Sequence, residues 1–335
     1  MKYLLYDFSN FAHRSFHIVD ERDEELRKQY IMGGLLTFIY DIYCKIQPDR
    51  NVYIFDSNSW RKKINSAYKA NRETAFGADL EGKELIFNII STFYEFIKNT
   101  NAYALKVVDA ESDDLISVFI ENHPDDEIVI ASTDTDFYQL VSDKVSIYSP
   151  ITRYYITNNA VYDEDMRPVP FKLDNNGKLK IEKDTGIDLS EISPYGTWQE
   201  WCLFCKIIRG DLGDNIFSAY PGVRTKSTKK AVGILEAFKG RKQKDYNYVN
   251  FVNQTWEDHE GNTKLVESCM AENDRLINLK HIDKEYHDMF DKYIKEYESN
   301  YQPKKGTGIL FGKFCMLHHL DRLIDNIEQY MKVFS

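Results

Sequence analysis

Four short apolar runs, each ending at or just before an acidic residue, constrain the fold of this chain more than any other feature. They occupy positions 2–7, 51–56, 103–109 and 127–132. The segments around 30–45, 83–98 and 113–122 have the apolar spacing of helices. Short strands that alternate with helices are typical of a parallel, doubly wound sheet. We therefore predict an α/β fold with a mostly parallel central sheet.

The second half of the chain has different patterns. Residues 150–195 combine turn residues with alternating apolar positions, which predicts β-hairpins or a surface excursion. From about Trp198 onward, helical periodicity replaces the strand signals. The predicted helices lie near 198–208, 226–238, 246–256, 265–277, 283–299 and 316–332. We therefore divide the chain into an α/β domain, residues 1–197, and a helical domain, residues 198–335.

Acidic residues follow all four predicted strands. In open parallel sheets the carboxyl ends of the strands meet at one edge, so we expect these acids to converge in space. The acids assigned to this site are Asp7, Asp56, Glu111, Asp113, Asp114, Asp134 and Asp136. Asp109 is left out, because it either precedes the functional acids or caps the following helix. The same capping role is the alternative for Asp7 and for Asp56 taken singly.

Carboxylates crowded into one cleft raise one another's pKa unless cations neutralise them. Oxygen ligands suit Mg²⁺ or Mn²⁺, and no set of His and Cys has the spacing of a zinc site. Two such ions, roughly 3.5–4 Å apart, can activate a water and stabilise the attacking and leaving oxygens of a phosphodiester. The acids therefore predict a two-metal phosphodiester hydrolase.

Composition narrows the class of protein and of ligand. The net charge of −10 disfavours nucleic acid as a ligand, but basic residues crowd locally at 61–72, 224–230 and 239–244. The five cysteines show no repeated spacing and the first residues lack a signal-peptide pattern, so we expect a reduced, cytoplasmic protein. No apolar run approaches the roughly 20 residues of a membrane span, so we expect no membrane association.

Six segments together resemble the 5′-nuclease family, which includes flap endonucleases and phage 5′-exonucleases. They are YDFSN at 6–10, FDSNSWR at 55–61, YKANR at 68–72, AESDD at 110–114, STDTDF at 132–137 and RGDLGDNI at 209–216. The resemblance implies a PIN-like catalytic domain with an arch at about 57–84. A helical C-terminal domain with a helix-hairpin-helix-like DNA-binding element would follow. Within the family, the C-terminal part most resembles the ribonucleases H of T-even-type phages, including PKKG at 303–306.

The resemblance also implies ligands for two metal ions. One ion would lie among Asp7, Asp56, Glu111, Asp113 and Asp114, and the other toward Asp134, Asp136, Asp211 and Asp214. By its spacing alone, GDLGDN is more often a turn with a cap, and it gains weight only beside the other motifs. Asp134 is also assigned a direct catalytic part.

Basic and aromatic residues receive roles from the same resemblance. Lys69 and Arg72 of the arch would contact the scissile phosphate as catalytic cations, and Tyr68 would stack on a terminal base. After PGV, a loop would grip the nucleic-acid backbone without reading sequence. Its residues are Arg224, Lys226, Lys229 and Lys230. A solvated basic helix face is the alternative interpretation of the arch, and Arg61 to Lys63 are given no role beyond such a face.

The implied function is a metal-dependent 5′→3′ exonuclease and flap endonuclease with ribonuclease H activity, which removes primers in lagging-strand replication. It would use two Mg²⁺ ions, or Mn²⁺ in their place. The expected form is a cytoplasmic monomer, in the host cell if phage-encoded, acting on DNA or RNA·DNA duplexes with 5′ ends or flaps. Expected protein partners are a single-stranded-DNA-binding protein and a sliding clamp. A PIN-type ribonuclease and a nuclease-dead DNA-binding scaffold remain as alternatives.

Overall fold

An eight-stranded sheet forms the centre of the computed structural model, which describes residues 1–71 and 80–334. The strands are β1 Lys2–Asp7, β2 Arg50–Ile54, β3 Tyr103–Leu105, β4 Glu127–Ala131, β5 Val145–Ser149, β6 Tyr154–Ile156, β7 Val161–Tyr162 and β8 Pro168–Val169. Their spatial order is β3-β2-β1-β4-β5-β6-β7-β8. The first five are parallel neighbours and the last three are antiparallel additions. The predicted α/β fold with a mostly parallel sheet is confirmed.

The strand order reverses between β1 and β4. The chain leaves β1 for β2 and β3 on one side, then returns to β4 on the other side of β1. At such a reversal the connecting segments diverge and leave a crevice at the carboxyl edge of the sheet. Tyr6 of β1 lies opposite Ala131 of β4 in the parallel register. Asp7 and the acids that follow Ala131 are therefore brought to the same edge.

Helices cover both faces of the sheet, and strands β1, β2 and β4 are consequently buried along nearly their whole length. On one face lie the helices Phe8–Ile18, Glu24–Ile46, Leu80–Ile97, Thr307–Leu317, Asp321–Ile324 and Ile327–Met331. On the other face lie Ser112–Asn122, Trp198–Arg209, Ile234–Gly240, Tyr246–Val252, Val266–Ile277 and Lys284–Ser299. A short helix, Arg61–Ile64, follows β2 near the carboxyl edge.

Local signals explain where the principal helices begin and end. Asp23 accepts a hydrogen bond from Leu26 N–H at the start of Glu24–Ile46, and Gln47 ends that helix in a left-handed conformation. Thr197 and Glu200 form a reciprocal capping box at the start of Trp198–Arg209. The second helix agrees with the one predicted near 198–208, whereas the first ends as predicted but begins six residues before the predicted 30–45.

The helices of the second half share their hydrophobic core with the sheet. Phe204, Phe238 and Phe290 belong to the same cluster as Val52 and Ile130, which are strand residues. Each such buried side chain contributes roughly 1.5–3 kcal/mol to the free energy of unfolding. Residue 197 therefore marks a change to mainly helical structure, and as a domain boundary it stays a prediction.

Three predicted helices have different bounds. Instead of 226–238, the helix is Ile234–Gly240, because a loop folds back onto its start: Gly233 N–H donates to Ser227 Oγ at 2.8 Å. Ser227 in turn donates to Glu236 of the helix at 2.7 Å. The predicted helix 316–332 is broken, and His319 lies at its break with a φ of +54°. The helix predicted at 246–256 also ends early, at Val252. Thr255–Glu257 forms a strand instead, β11, which pairs with the strand β12, Thr263–Leu265.

The hairpins predicted in 150–195 are confirmed. In addition to β6 to β8, a separate hairpin is formed by β9, Phe171–Leu173, and β10, Leu179–Ile181. At the opposite end of the main sheet, β3 is covered by the helix Lys284–Ser299. Its Ala104 N–H donates to the Tyr297 hydroxyl at 3.0 Å, and the Tyr103 ring contacts the Tyr297 and Tyr301 rings.

Within residues 1–71 and 80–334, no helix is both long enough and apolar enough to cross a membrane.

Candidate metal and nucleic-acid site

Asp7 lies at the centre of the carboxyl edge, where β1 ends. Its side chain is 4% exposed and accepts hydrogen bonds from the hydroxyls of Ser112 at 2.9 Å and Ser132 at 3.0 Å. It makes no capping bond to the helix that follows, so the capping alternative does not apply to Asp7. Burial, together with the charges of Asp56 and Asp134, raises the pKa of Asp7 to about 7.

Asp56 and Asp134 are more exposed and face the same crevice. Asp56 accepts the backbone N–H of Ser112 at 2.7 Å, at the start of the helix Ser112–Asn122. Asp134 caps the 3-10 turn Thr135–Leu140 by accepting the N–H of Asp136 at 2.9 Å. Both carboxylates therefore contact the beginning of a helical segment, while the crevice still reaches them.

Glu111, Asp113 and Asp114 form the first group whose carboxylate oxygens could bind a common metal ion. One oxygen from each lies within 4.8 Å of the others. Glu111 and Asp114 also form a capping box at the start of Ser112–Asn122. Burial and the charges of its two acidic neighbours raise the pKa of Asp113 well above its ordinary value. This group therefore carries negative charge that is only partly compensated.

Arg61, the last residue of the FDSNSWR motif, supplies the compensation, a role that the motif did not predict. Its side chain is 1% exposed, and its guanidinium contacts Glu111 at 3.1 Å and Asp114 at 2.8 Å. Its Nε also donates to the carbonyl of Leu276 at 2.8 Å. The interpretation of Arg61 as part of a solvated basic face was wrong, because the Arg61–Ile64 helix turns this residue inward. Asp114, fully buried against Arg61, lies behind the crevice wall.

The second group of possible metal ligands consists of Asp136, Asp211 and Asp214, with oxygens again within 4.8 Å of one another. Lys206 of the helix Trp198–Arg209 joins two of them: its Nζ contacts Asp136 and lies 2.8 Å from Asp211. Burial and the charge of Asp134 raise the pKa of Asp136 to about 6, in spite of Lys206. Lys206 is a second cation that sequence reasoning missed, because a lone lysine on an amphipathic helix carries no motif.

Lys69 and Tyr68 connect the two groups of acids. The Lys69 ammonium contacts Glu111 and lies 3.6 Å from Asp214. Burial raises the pKa of Glu111, but the charges of Lys69 and Arg61 outweigh it and lower that pKa to about 2. Lys69 also has a φ of +56°, a left-handed conformation that costs a non-glycine residue about 1 kcal/mol or more. The predicted arch lysine is therefore held at the acids.

The proposed stacking of Tyr68 on a base does not fit its position. Its side chain is 2% exposed, and its hydroxyl donates to Glu111 at 3.0 Å or Asp214 at 3.3 Å. A buried ring offers no face to a nucleotide, so Tyr68 acts here as a bridge between the acids. Arg72, the second predicted arch cation, lies outside the described residues.

One cleft of about 290 Å³ brings most of the predicted site together. Its predicted members are Asp7, Asp56, Lys69, Glu111, Asp113, Asp134, Asp136, Asp211 and Asp214. Asn10 and His13 of the first helix also line the cleft, and neither was selected from the sequence. Asp109 pairs instead with Lys63, which agrees with its omission from the site.

The basic loop assigned to backbone binding lies apart from these acids. Arg224, Lys226, Lys229 and Lys230 are all exposed, and Lys226 pairs with Glu191 at 2.8 Å. Three of them line a separate cleft of about 550 Å³. The segment is an irregular loop up to Gly233, so the expected helix-hairpin-helix-like element has only its second helix, Ile234–Gly240, in regular form.

Residues 2–166 match the family model described as the 5′-3′ exonuclease, N-terminal resolvase-like domain. Among curated proteins, the 5′-3′ exonuclease of Aquifex aeolicus is 24% identical over 75% of this chain and 72% of its own length. The flap endonuclease Xni of Psychromonas ingrahamii is 25% identical over 35% of this chain. The 5′-3′ exonuclease of Buchnera aphidicola is 27% identical over 39%. The chain spans less than half the length of these last two relatives, 44% and 45%.

Solved structures of the D15 protein of bacteriophage T5 share the fold. The D15 protein crystallised with metal ions has a TM-score of 0.57 at 18% identity, covering 89% of this chain and 99% of that one. A D15 flap endonuclease complex with DNA and metal ions has a TM-score of 0.58 at 17% identity, covering 90% and 100%. The likeness therefore extends over the helical second half as well as the sheet.

Binding of Mg²⁺ should stabilise the chain more at pH 8 than at pH 5.5. The raised pKa values of Asp7 and Asp136 mean that the fold holds protons there below about pH 7 and 6. Metal-free stability from these groups is thus lost as pH rises through those values, while the ionised carboxylates become available to metal. Thermal unfolding with and without MgCl₂ measures the difference. A free Mg²⁺ concentration 100-fold above the Kd corresponds to a stabilisation of about 2.7 kcal/mol. Equal shifts at both pH values would contradict the assignment; Asp7→Asn should reduce the pH dependence.

Replacement of Arg61 by methionine should lower the free energy of unfolding by about 3–5 kcal/mol, because Glu111 and Asp114 would be left without their buried counter-ion. The neighbouring, exposed Lys62 provides the matched control, and Lys62→Met should change that free energy by no more than about 0.5 kcal/mol. Urea denaturation of both variants measures the effects. Similar values for the two would show that Arg61 has no special structural part.

Proposed function

The chain belongs to the 5′-nuclease family, and we propose that it hydrolyses phosphodiester bonds near the 5′ ends of nucleic-acid strands, as a 5′→3′ exonuclease and flap endonuclease. The observation that carries this proposal is the convergence of acids from four strand ends and from the loop at 211–214 into one cleft. A cleft lined by so many carboxylates would repel a phosphodiester unless bound cations reversed its charge.

The side chains fit divalent cations. Each of two groups, Glu111 with Asp113 and Asp114, and Asp136 with Asp211 and Asp214, has three carboxylate oxygens within 4.8 Å of one another. In the first group Glu111 and Asp113 line the cleft, whereas Asp114 lies behind them against Arg61. All donors are hard oxygens, which favours Mg²⁺, with Mn²⁺ as a substitute. Asp7, Asp56 and Asp134 would complete the two coordination sets. Divalent cations bound there would activate a water molecule and neutralise the charge on the phosphodiester oxygens.

The chain's own cations would position the substrate. Lys69 stands between the two acid groups and lines the cleft, so a phosphate entering the cleft would find a fixed ammonium among the carboxylates. A fixed cation there stabilises negative charge that develops on the phosphate oxygens during cleavage. Arg72 is proposed to act with Lys69 from the arch. Arg61 and Lys206 contribute indirectly, since their contacts hold the carboxylates in place.

The ribonuclease H activity and a role in primer removal rest on the resemblance to the enzymes of T-even-type phages. We propose a monomer that acts in the cytoplasm, of the host cell if the gene is carried by a phage. A single-stranded-DNA-binding protein and a sliding clamp are proposed as partners. Support for nucleic acid as substrate comes from a relative, the T5 flap endonuclease, which was solved with DNA and metal ions.

Two other functions are less well supported. A PIN-type ribonuclease would account for the sheet and its acids, but the pairing of Asp211 with Asp136 and Asp214 places a residue from the helical half in the site. A nuclease-dead scaffold would have no use for this arrangement of acids, whose burial is costly. A 5′-labelled flapped duplex separates these functions: release of short 5′ products in Mg²⁺ but not in EDTA supports the nuclease, and binding without cleavage supports the scaffold.

Substitution Asp134→Asn is expected to lower the cleavage rate by at least about 100-fold while DNA affinity stays within about twofold, because one ligand charge is removed and the binding surface is kept. Cleavage is measured by gel and affinity by fluorescence anisotropy. Asp125→Asn is the matched control, since Asp125 is exposed and precedes β4 at the opposite edge of the sheet. Full activity of Asp134→Asn would remove Asp134 from the mechanism.

A comparison of matched RNA·DNA and DNA·DNA duplexes tests the ribonuclease H proposal. We expect 5′ products from the RNA strand of the hybrid, with the same dependence on Mg²⁺ as the products from DNA flaps. Cleavage of DNA flaps alone would refute ribonuclease H activity and leave the nuclease proposal standing.

A further inference from the structure

The turn between β9 and β10 is fixed against the helix that carries Lys206. One oxygen of Asp174 accepts the N–H groups of Asn176 and Lys178, both at 2.8 Å. Gly177 has a φ of +81°, and a Cβ on it would lie only 2.9 Å from the Cα of Cys202. Only glycine fits such a close approach. The turn Asp174–Lys178 therefore packs tightly against the helix Trp198–Arg209 and forms a wall beside it.

This wall borders a cleft of about 510 Å³ that adjoins the acidic site. Asp134, Asp136 and Asp211 line both this cleft and the acidic one. Its far side consists of Asn176, Gly177 and Lys178 from the turn. Lys178 is exposed and brings a positive charge to the mouth of the cleft. A strand whose phosphate lies among the acids could thus continue past Lys178.

A basic surface continues on the other side of the turn. A second cleft, of about 780 Å³, is lined there by Lys180, Arg209, Arg224 and Lys226. Arg209 lines both clefts and fixes the basic loop by donating to Val223 O at 2.8 Å and to Thr225 Oγ1 at 3.2 Å. Asp174 is the one acid among the described residues that line this second cleft, and its carboxylate is engaged within the turn. Two acids beside it are also engaged, Glu191 with Lys226 and Glu236 with Ser227. Positive charge therefore predominates in the lining of the second cleft.

The simplest alternative is that these lysines only keep a hairpin soluble. Two features argue against it. The chain has a net charge of −10, so a run of cations beside its most acidic cleft departs from the average of the surface. In addition, the cations lie along adjoining concave clefts that share Arg209, and not on separate convex faces. Concave, positively charged surfaces are typical of sites that follow a nucleic-acid backbone.

We propose that the β9–β10 hairpin and the helix Trp198–Arg209 form a groove that binds the sugar-phosphate backbone of the substrate between the acidic cleft and the loop 224–230. Lys178 and Lys180 make the hairpin's contacts with phosphates. Such contacts set the position of the strand without reading its sequence. The inference rests on the proposed function, because it takes the acidic cleft as the point from which the strand departs.

The test uses the full chain and a fluorescein-labelled DNA duplex with a 5′ flap, in buffer with Ca²⁺ and at several KCl concentrations. The double variant Lys178→Ala, Lys180→Ala should bind about 10-fold more weakly at 0.1 M salt. Its plot of log K against log salt concentration should be shallower by about 0.9 for each phosphate that the variant no longer neutralises. Lys183→Ala, an exposed lysine of the same hairpin region outside both clefts, should bind as the unaltered chain does. Lys178→Arg should retain most of the affinity.

The inference is overturned if the double variant binds with unchanged affinity and salt slope, or if the control variant weakens binding equally. Absence of measurable binding by the unaltered chain overturns it as well. Cleavage of the same duplex by the unaltered chain in Mg²⁺ is measured separately. Binding that depends on the two lysines without any cleavage would support the groove and refute the nuclease proposal. Cleavage together with binding that does not depend on the two lysines would support the nuclease proposal and refute the groove.

Discussion

Mutual repulsion among buried carboxylates is the constraint on which the rest of this structure depends. The reversal of strand order between β1 and β4 brings Asp7 and Asp134 to one edge, and neighbouring segments add further acids. The fold tolerates this because cations enter from three separate elements. Arg61, Lys69 and Lys206 each bridge at least two carboxylates. The acidic edge is thus a framework in which cations balance part of the negative charge, while other carboxylates, such as Asp7, face the cleft without such a cation in the described structure.

The sheet and its acids could be predicted from the sequence because both follow local rules. An apolar run that ends in an acid identifies the strand and the position of its carboxylate, and the crossover rule for parallel strands makes the acids converge. The inward orientation of Arg61 could not be predicted, since it depends on Leu276, which is remote in sequence. Tyr68 was misjudged for the same reason: its burial is set by Glu111 and Asp214.

The helical half was predicted less accurately, and the errors have a common cause. Helices with a strong apolar stripe and a cap, such as Trp198–Arg209, began and ended close to the expected residues. The segment before Ile234 was expected to be helical from its periodicity, but the Ser227 N–H donates to the Glu236 carboxylate and the Gly233 N–H donates to the Ser227 hydroxyl, which holds the segment as a loop. Side-chain to backbone bonds of this kind compete with helix formation and leave no periodic signal. The basic groove beside the hairpin likewise depends on how loops meet.

The covering of β3 by the helix Lys284–Ser299 has a consequence for the behaviour of the chain at high concentration. An outer strand with free backbone groups is a template on which another polypeptide can add a strand. Here the N–H of Ala104 is already satisfied by the Tyr297 hydroxyl, and the Tyr103 ring lies under tyrosine side chains. The outer strand is therefore protected from aggregation by aromatic side chains in place of the charged residues that commonly guard such positions.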